Sequence, residues 1–77
     1  MKKSVFLKNL SKILEIDVKK INEEKTLESY DFDSLRVLEL MAFNDQEFPK
    51  KIISAEEIMD CITVADLVKL YGSAIKK

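Results

Sequence analysis

Histidine is absent from this chain. Its absence removes Ser-His-Asp and Cys-His catalysis, the histidine-based zinc sites and the commonest general base near neutral pH. Glycine and proline occur once each. That scarcity argues against a β-sandwich or barrel, which needs many tight turns. It also excludes the glycine-rich phosphate loops, since G-x-G-x-x-G and the P-loop each require at least two glycines. Cysteine occurs once, at Cys61, so no internal disulfide can form. A small fold that manages without one fits a reducing cytoplasm. Cys61 sits in the run Ile58-Met59-Asp60-Cys61-Ile62 and reads as a small apolar helix residue rather than a reactive thiol. No signal peptide or membrane span is expected. The stretch behind Met1-Lys2-Lys3 is broken by Lys8, Asn9 and Lys12.

What remains is enough for one small domain, residues 1–77. With 47% hydrophobic and 35% charged residues, the composition is that of a soluble globular fold rather than a disordered tail. The net charge is −1, which gives no reason to expect nucleic acid as a partner. The distribution of charge says more. Residues 1–25 carry seven lysines against four acids. Residues 26–49 carry Arg36 alone against Glu28, Asp31, Asp33, Glu39, Asp45 and Glu47. A local field of one sign steers partners of the other sign even when the total is near zero.

Apolar residues recur at helical spacing. Phe6, Leu10, Ile13 and Leu14 predict a first helix over about 4–15, with Ser4 as its N-cap. Residues 16–33 read as a long connection pinned to the core by Ile16, Val18, Ile21, Leu27 and Tyr30. Leu35, Val37, Leu38, Leu40, Met41, Ala42 and Phe43 predict a strong second helix over about 34–47, ending before Pro49. That much apolar surface implies burial on more than one side, with Leu35, Leu38 and Met41 weighted as core. Ser54-Ala55-Glu56-Glu57 is a capping box that opens a short third helix. Thr63-Val64-Ala65-Asp66 has the same form and opens a last helix. Val64, Leu67, Val68 and Tyr71 should face inward there, with the end near Gly72. The fold class is all-α: three longer helices, one short one and a long first loop.

One segment has unusual chemistry: Asp31-Phe32-Asp33-Ser34-Leu35 at the start of the second helix. On its own, Asp-Ser-Leu at a helix start is usually only a cap. Here the context is distinctive. Glu39-Leu40 follows in the helix, Glu47-Phe48 closes it, and Ile53, Glu56-Glu57 and Thr63-Val64-x-Asp66-Leu67 come after. In motif, spacing and length the chain, from about Val5 to Ile75, resembles the acyl carrier proteins and the related peptidyl carrier proteins.

The resemblance implies a four-helix carrier bundle, a monomer with no catalysis of its own. It implies that 4′-phosphopantetheine from coenzyme A is esterified to Ser34, with Asp33 and Leu35 completing the cofactor-binding motif. Cargo then rides on the arm's thiol as an acyl or aminoacyl thioester. The implied partners are a phosphopantetheinyl transferase, an acyl- or aminoacyl-loading ligase and a downstream synthase or transferase. Arg36, Glu39, Asp45 and Glu47 are the expected docking residues.

The chain departs from the family pattern at several positions. Asp31 stands where a glycine is frequent, though aspartate tolerates left-handed torsions. Arg36 stands where fatty-acid carriers have an acid, and Asn44 where an apolar residue is usual. Such carriers are also strongly acidic overall, unlike this chain. These departures imply a carrier dedicated to a specialised pathway, with Arg36 weakening docking to general fatty-acid enzymes. A helical protein-interaction module, in which Ser34 is only a cap, is the alternative reading.

Overall fold

The structure is a computed structural model that describes residues 1–76; Lys77, the last residue of the expected domain, lies outside the described residues. Four α-helices follow in order: α1 (Lys3–Leu14), α2 (Ser34–Glu47), α3 (Ala55–Asp60) and α4 (Val64–Leu70). Single 3₁₀ turns occur at Val18–Lys20, Leu27–Tyr30 and Gly72–Ala74. Among the described residues, β pairing is confined to two isolated bridges, Lys2 with Lys76 and Thr26 with Thr63. This is the all-α bundle the periodicity implies.

Its core comes from one face of each helix. Phe6, Leu10 and Leu14 line α1, Val37 and Leu40 line α2, Ile58 anchors α3, and Val64 and Leu67 line α4. Tyr71, just past α4, is fully buried among three phenylalanines, with ring centroids 4.8 Å from Phe6 and 5.2 Å from Phe48. Phe43 completes the cluster against Phe6 and Phe48. Aromatic pairs in such tilted and edge-on contacts add about 0.5–1.5 kcal/mol each beyond their burial.

Instead of three longer helices and one short one there are two of each, since α4 spans seven residues and is short like α3, and three further details differ from the sequence-based expectation. The first concerns the start of α1. The helix begins at Lys3, and Lys2, not Ser4, occupies the N-cap without any side-chain capping bond. The reason is distant in sequence: the Lys3 amide donates to the Lys76 carbonyl at 2.6 Å, so the chain's other end satisfies an amide that a serine cap would serve. The second concerns α2, which buries one face only. Leu35 and Leu38 are 60% and 62% exposed, while Met41 is half-buried. At about 100° per residue, Leu35, Leu38 and Ala42 lie on the side away from Val37 and Leu40. The third concerns Cys61, which follows α3 in extended conformation instead of lying within the helix.

Both capping boxes form as expected. The Ser54 hydroxyl accepts from the Glu57 amide, and the Thr63 hydroxyl from the Asp66 amide. α4 ends at Leu70, and Gly72, at φ 55°, turns the chain into the last 3₁₀ turn.

The long first loop is ordered by backbone bonds. Leu27 donates to Ile62 at 2.8 Å, and Lys25 and Glu23 accept from Val64 and Ala65. These bonds hold the loop against the junction of α3 and α4. The Tyr30 hydroxyl ties the loop to itself, donating to the Lys20 carbonyl and accepting from the Asn22 amide. Of the residues expected to pin it, Leu27 is buried and Ile16, Ile21 and Tyr30 are half-buried, whereas Val18 is exposed.

Candidate functional site

The loop approaches α2 through a left-handed residue. Asp31 has φ 56° and ψ 41°, and its amide donates back to Glu28. This is the turn for which glycine is usual; aspartate holds it because its short polar side chain tolerates that region. Asp33 then lies in extended backbone, and its carboxylate accepts from the Arg36 amide at 3.1 Å. That bond is a side-chain N-cap. Ser34 is the first residue of α2, and its side chain is exposed. The amides of Ser34 and Leu35 precede the first helical hydrogen bond, so they and the positive end of the helix dipole face outward beside the hydroxyl.

A groove of about 590 Å³ opens at Ser34. Leu27, Phe32, Val37, Met59 and Ile62 supply its apolar lining, and Glu28, Asp31 and Asp33 its charge. Met59 and Ile62 are 64% and 67% exposed, so the groove's far wall is apolar and open to solvent. Cys61 borders the same groove and donates its thiol proton to the Glu57 carbonyl at 3.4 Å. Burial first, then the charges of Asp66, Asp60 and Glu57, push this thiol above its ordinary value. It is therefore protonated and a poor nucleophile near neutral pH. Met59, Cys61 and Ile62 had no signal in the sequence as site residues. They reach Ser34 only because Leu27 and Thr26 pair with the α3–α4 junction.

The remaining expected residues fall into two groups. Leu35, Leu38 and Ala42 form an apolar stripe on the outer side of α2. Asp45 and Glu47 are exposed toward the end of that helix, and Glu39 is half-buried. Arg36 is different. Its guanidinium donates to the Ile13 carbonyl at 2.7 Å, pairs with Glu15 at 3.1 Å and reaches Glu39 at 3.4 Å. The hydrogen bond it donates to Glu15 raises its pKa most; partial burial opposes this, and the charges of Glu15, Glu39 and Asp33 add to the rise. Asn44 does face inward. Its side-chain oxygen accepts from the Tyr71 hydroxyl, and its side-chain nitrogen is buried without a partner.

A phosphodiester arm fits these residues. An exposed hydroxyl stands at a helix N-terminus, the adjoining amides favour an anion, and an open groove begins beside it. Together the bundle and this serine define the class: a small helical carrier domain. Comparison with known proteins agrees. A family model described as "Highly reducing polyketide synthase sdgA, C-terminal ACP domain" matches residues 2–77. The chain belongs to this family of acyl carrier domains, and it is a carrier rather than an enzyme.

Similar proteins from Dictyostelium discoideum include Probable polyketide synthase 14, 33% identical over 73 residues, which make up 95% of this chain and 2% of that protein. Probable polyketide synthase 39 is 31% identical over 74 residues, 96% of this chain and 2% of that protein. The chain thus spans about 2% of the length of the curated relatives it matches. No solved structure matches it significantly. Among the described residues no helix is long and apolar enough to cross a membrane.

Proposed function

We propose that residues 1–77 form one carrier domain that holds an acyl group as a thioester on a 4′-phosphopantetheine arm attached to Ser34. The observation that carries this reading is the placement of Ser34, exposed at the first position of α2 beside a capping aspartate and at the mouth of an open groove. In the attachment step the Ser34 oxygen bonds to the pantetheine-side phosphorus of coenzyme A. The pyrophosphate P–O bond breaks, 3′,5′-adenosine diphosphate leaves, and the hydroxyl proton passes to a base of the phosphopantetheinyl transferase. Asp33 holds the helix start during this step, and its exposed carboxylate is available to the metal and coenzyme of the transferase complex. When bound, the arm supplies a terminal thiol that carries cargo between enzymes.

The relatives favour a polyketide-type acyl cargo over an aminoacyl one. The partners are then the transferase, an acyl-loading enzyme and a synthase, in a cytoplasmic pathway. Leu35, Leu38 and Ala42, flanked by Glu39 and Asp45, suit a partner surface with an apolar centre and a basic rim. Contacts of that kind are weak and salt-sensitive.

The test is an intact-mass measurement after incubation with coenzyme A, magnesium and a broad-specificity transferase. One arm should be gained and should map to Ser34 by fragmentation. Ser34→Ala should gain none while keeping its helical spectrum, because Asp33 still caps α2. A Ser34→Ala protein that still accepts the arm would refute the assignment. A folded wild-type sample that stays unmodified even with a transferase from its own host would favour an interaction module.

A further inference from the structure

We propose that Arg36 is a positioning residue: it fastens the start of α2, and with it Ser34, to the end of α1, so that the hydroxyl is presented to the transferase in one orientation. The inference rests on the reading of Ser34 as the attachment point and concerns how this chain serves that step.

The argument begins at the end of α1. Ile13 lies in its last turn, where carbonyls have no partner within the helix. Glu15 follows in a left-handed C-cap at φ 58°. Partial negative charge gathers at such a terminus and favours a cation. Arg36 supplies that cation from another helix. One guanidinium nitrogen donates to the Ile13 carbonyl at 2.7 Å, and the other meets the Glu15 carboxylate at 3.1 Å. The side chain is only 21% exposed, so most of it is turned toward the protein. These contacts join residues more than twenty positions apart in sequence.

The backbone of the same residue holds the motif itself. The Arg36 amide donates to the Asp33 carboxylate. Ser34 therefore lies within a short span whose far end is anchored twice, by its amide to Asp33 and by its side chain to α1. Lysine could not replace the arginine. A single ammonium lacks the planar fork that serves a carbonyl and a carboxylate at once. The positive charge is also matched locally by Glu15 and Glu39, so little of it remains to repel a basic partner.

The test compares the wild type with Arg36→Ala, Arg36→Lys and Glu15→Ala. Initial rates of arm transfer are measured with one transferase, together with hydrogen exchange at individual amides in the unmodified protein. Arg36→Ala should lower kcat/KM for the carrier by about tenfold, the scale expected when a reacting group loses its fixed orientation. It should speed exchange at Arg36 and Val37, whose amides donate to Asp33, while leaving Ile58 and Leu67 protected. Glu15→Ala should shift both readouts in the same direction, although it lies on α1 outside the motif. Arg36→Lys should rescue neither fully.

If Arg36→Ala slows transfer while exchange at the start of α2 is unchanged and Glu15→Ala is silent, Arg36 acts by touching the enzyme and the proposal fails. Should Arg36→Ala not fold, Arg36→Lys and Glu15→Ala carry the same comparison. A wild-type protein that accepts no arm would sink the Ser34 reading alone. The exchange measurements would still decide whether Arg36 orders the start of α2.

Discussion

At the scale of single residues, the site depends on a backbone turn that a non-glycine residue must hold. Asp31 sits at φ 56° directly before the Phe32-Asp33-Ser34 segment. A β-branched side chain is strongly disfavoured there, because its Cβ crowds the adjacent carbonyl. Asp31→Val should therefore cost about 1–2 kcal/mol in a denaturant melt. Asp31→Gly should change stability by less than about 1 kcal/mol, since relief of the left-handed cost is offset by a more flexible unfolded chain. A Val variant as stable as the wild type would show that the turn is not held in the left-handed region. This turn was legible in the sequence, because the spacing to Ser34 located it and aspartate can adopt it. The exposure of Leu35 and Leu38 was not. A leucine on a strongly apolar helix reads the same whether it faces a core or a docking partner, and only the placement of the neighbouring helices separates the two.

At the scale of elements, short helices need their ends satisfied. α3 and α4 span six and seven residues, too short to persist without caps and packing. The Thr63–Asp66 box does this for α4. The Thr63 and Ile62 amides donate to the Asp66 carboxylate, and these bonds hold its pKa below the ordinary value of 3.8. A carboxylate with a lowered folded pKa adds stability that is present above its unfolded value and lost as pH falls through the folded one. Stability should thus drop below about pH 4 in part through Asp66, and Asp66→Asn should flatten that part of the acid profile. An unaltered acid limb in Asp66→Asn would count against the box. Thr63→Ala should cost about 1 kcal/mol at neutral pH. Both boxes were visible from spacing alone because every partner lies within four residues. The start of α1 was not, because its first amide is satisfied by Lys76, and a contact between distant positions leaves no local pattern. Arg36 stood out in the sequence as a docking residue, but its contacts left no pattern there for the same reason: its partners, Ile13 and Glu15, lie at the end of α1.

At the scale of the whole molecule, one polar pair sits where the helices meet. Tyr71 is fully buried, stacked with Phe6 and Phe48, and its hydroxyl donates to the Asn44 side chain. It links the end of α4 to the last turn of α2 across the aromatic cluster contributed by α1 and the α2 terminus. Burial raises its pKa well above the ordinary 10.0, with the bond to Asn44 opposing the rise only in part. A group whose folded pKa is raised contributes stability that is complete below its unfolded value and is lost as pH rises toward the folded one. The fold should therefore weaken from about pH 10 upward, as unfolded chains ionise a tyrosine that the native state keeps neutral. The informative quantity is the difference from Tyr71→Phe, in which the effects of all other groups cancel. At neutral pH that variant should be less stable by about 1–3 kcal/mol, because the Asn44 oxygen joins its nitrogen as a buried group without a partner. Above pH 10 the gap should narrow, since phenylalanine has no proton to lose. Adding Asn44→Leu to Tyr71→Phe should recover much of the neutral-pH loss, because replacing both partners with apolar groups removes the unmet desolvation cost. A gap between Tyr71→Phe and wild type that stays constant from pH 7 to 11 would mean that the hydroxyl is not held neutral by burial, and that α2 and α4 meet more loosely than their contacts imply.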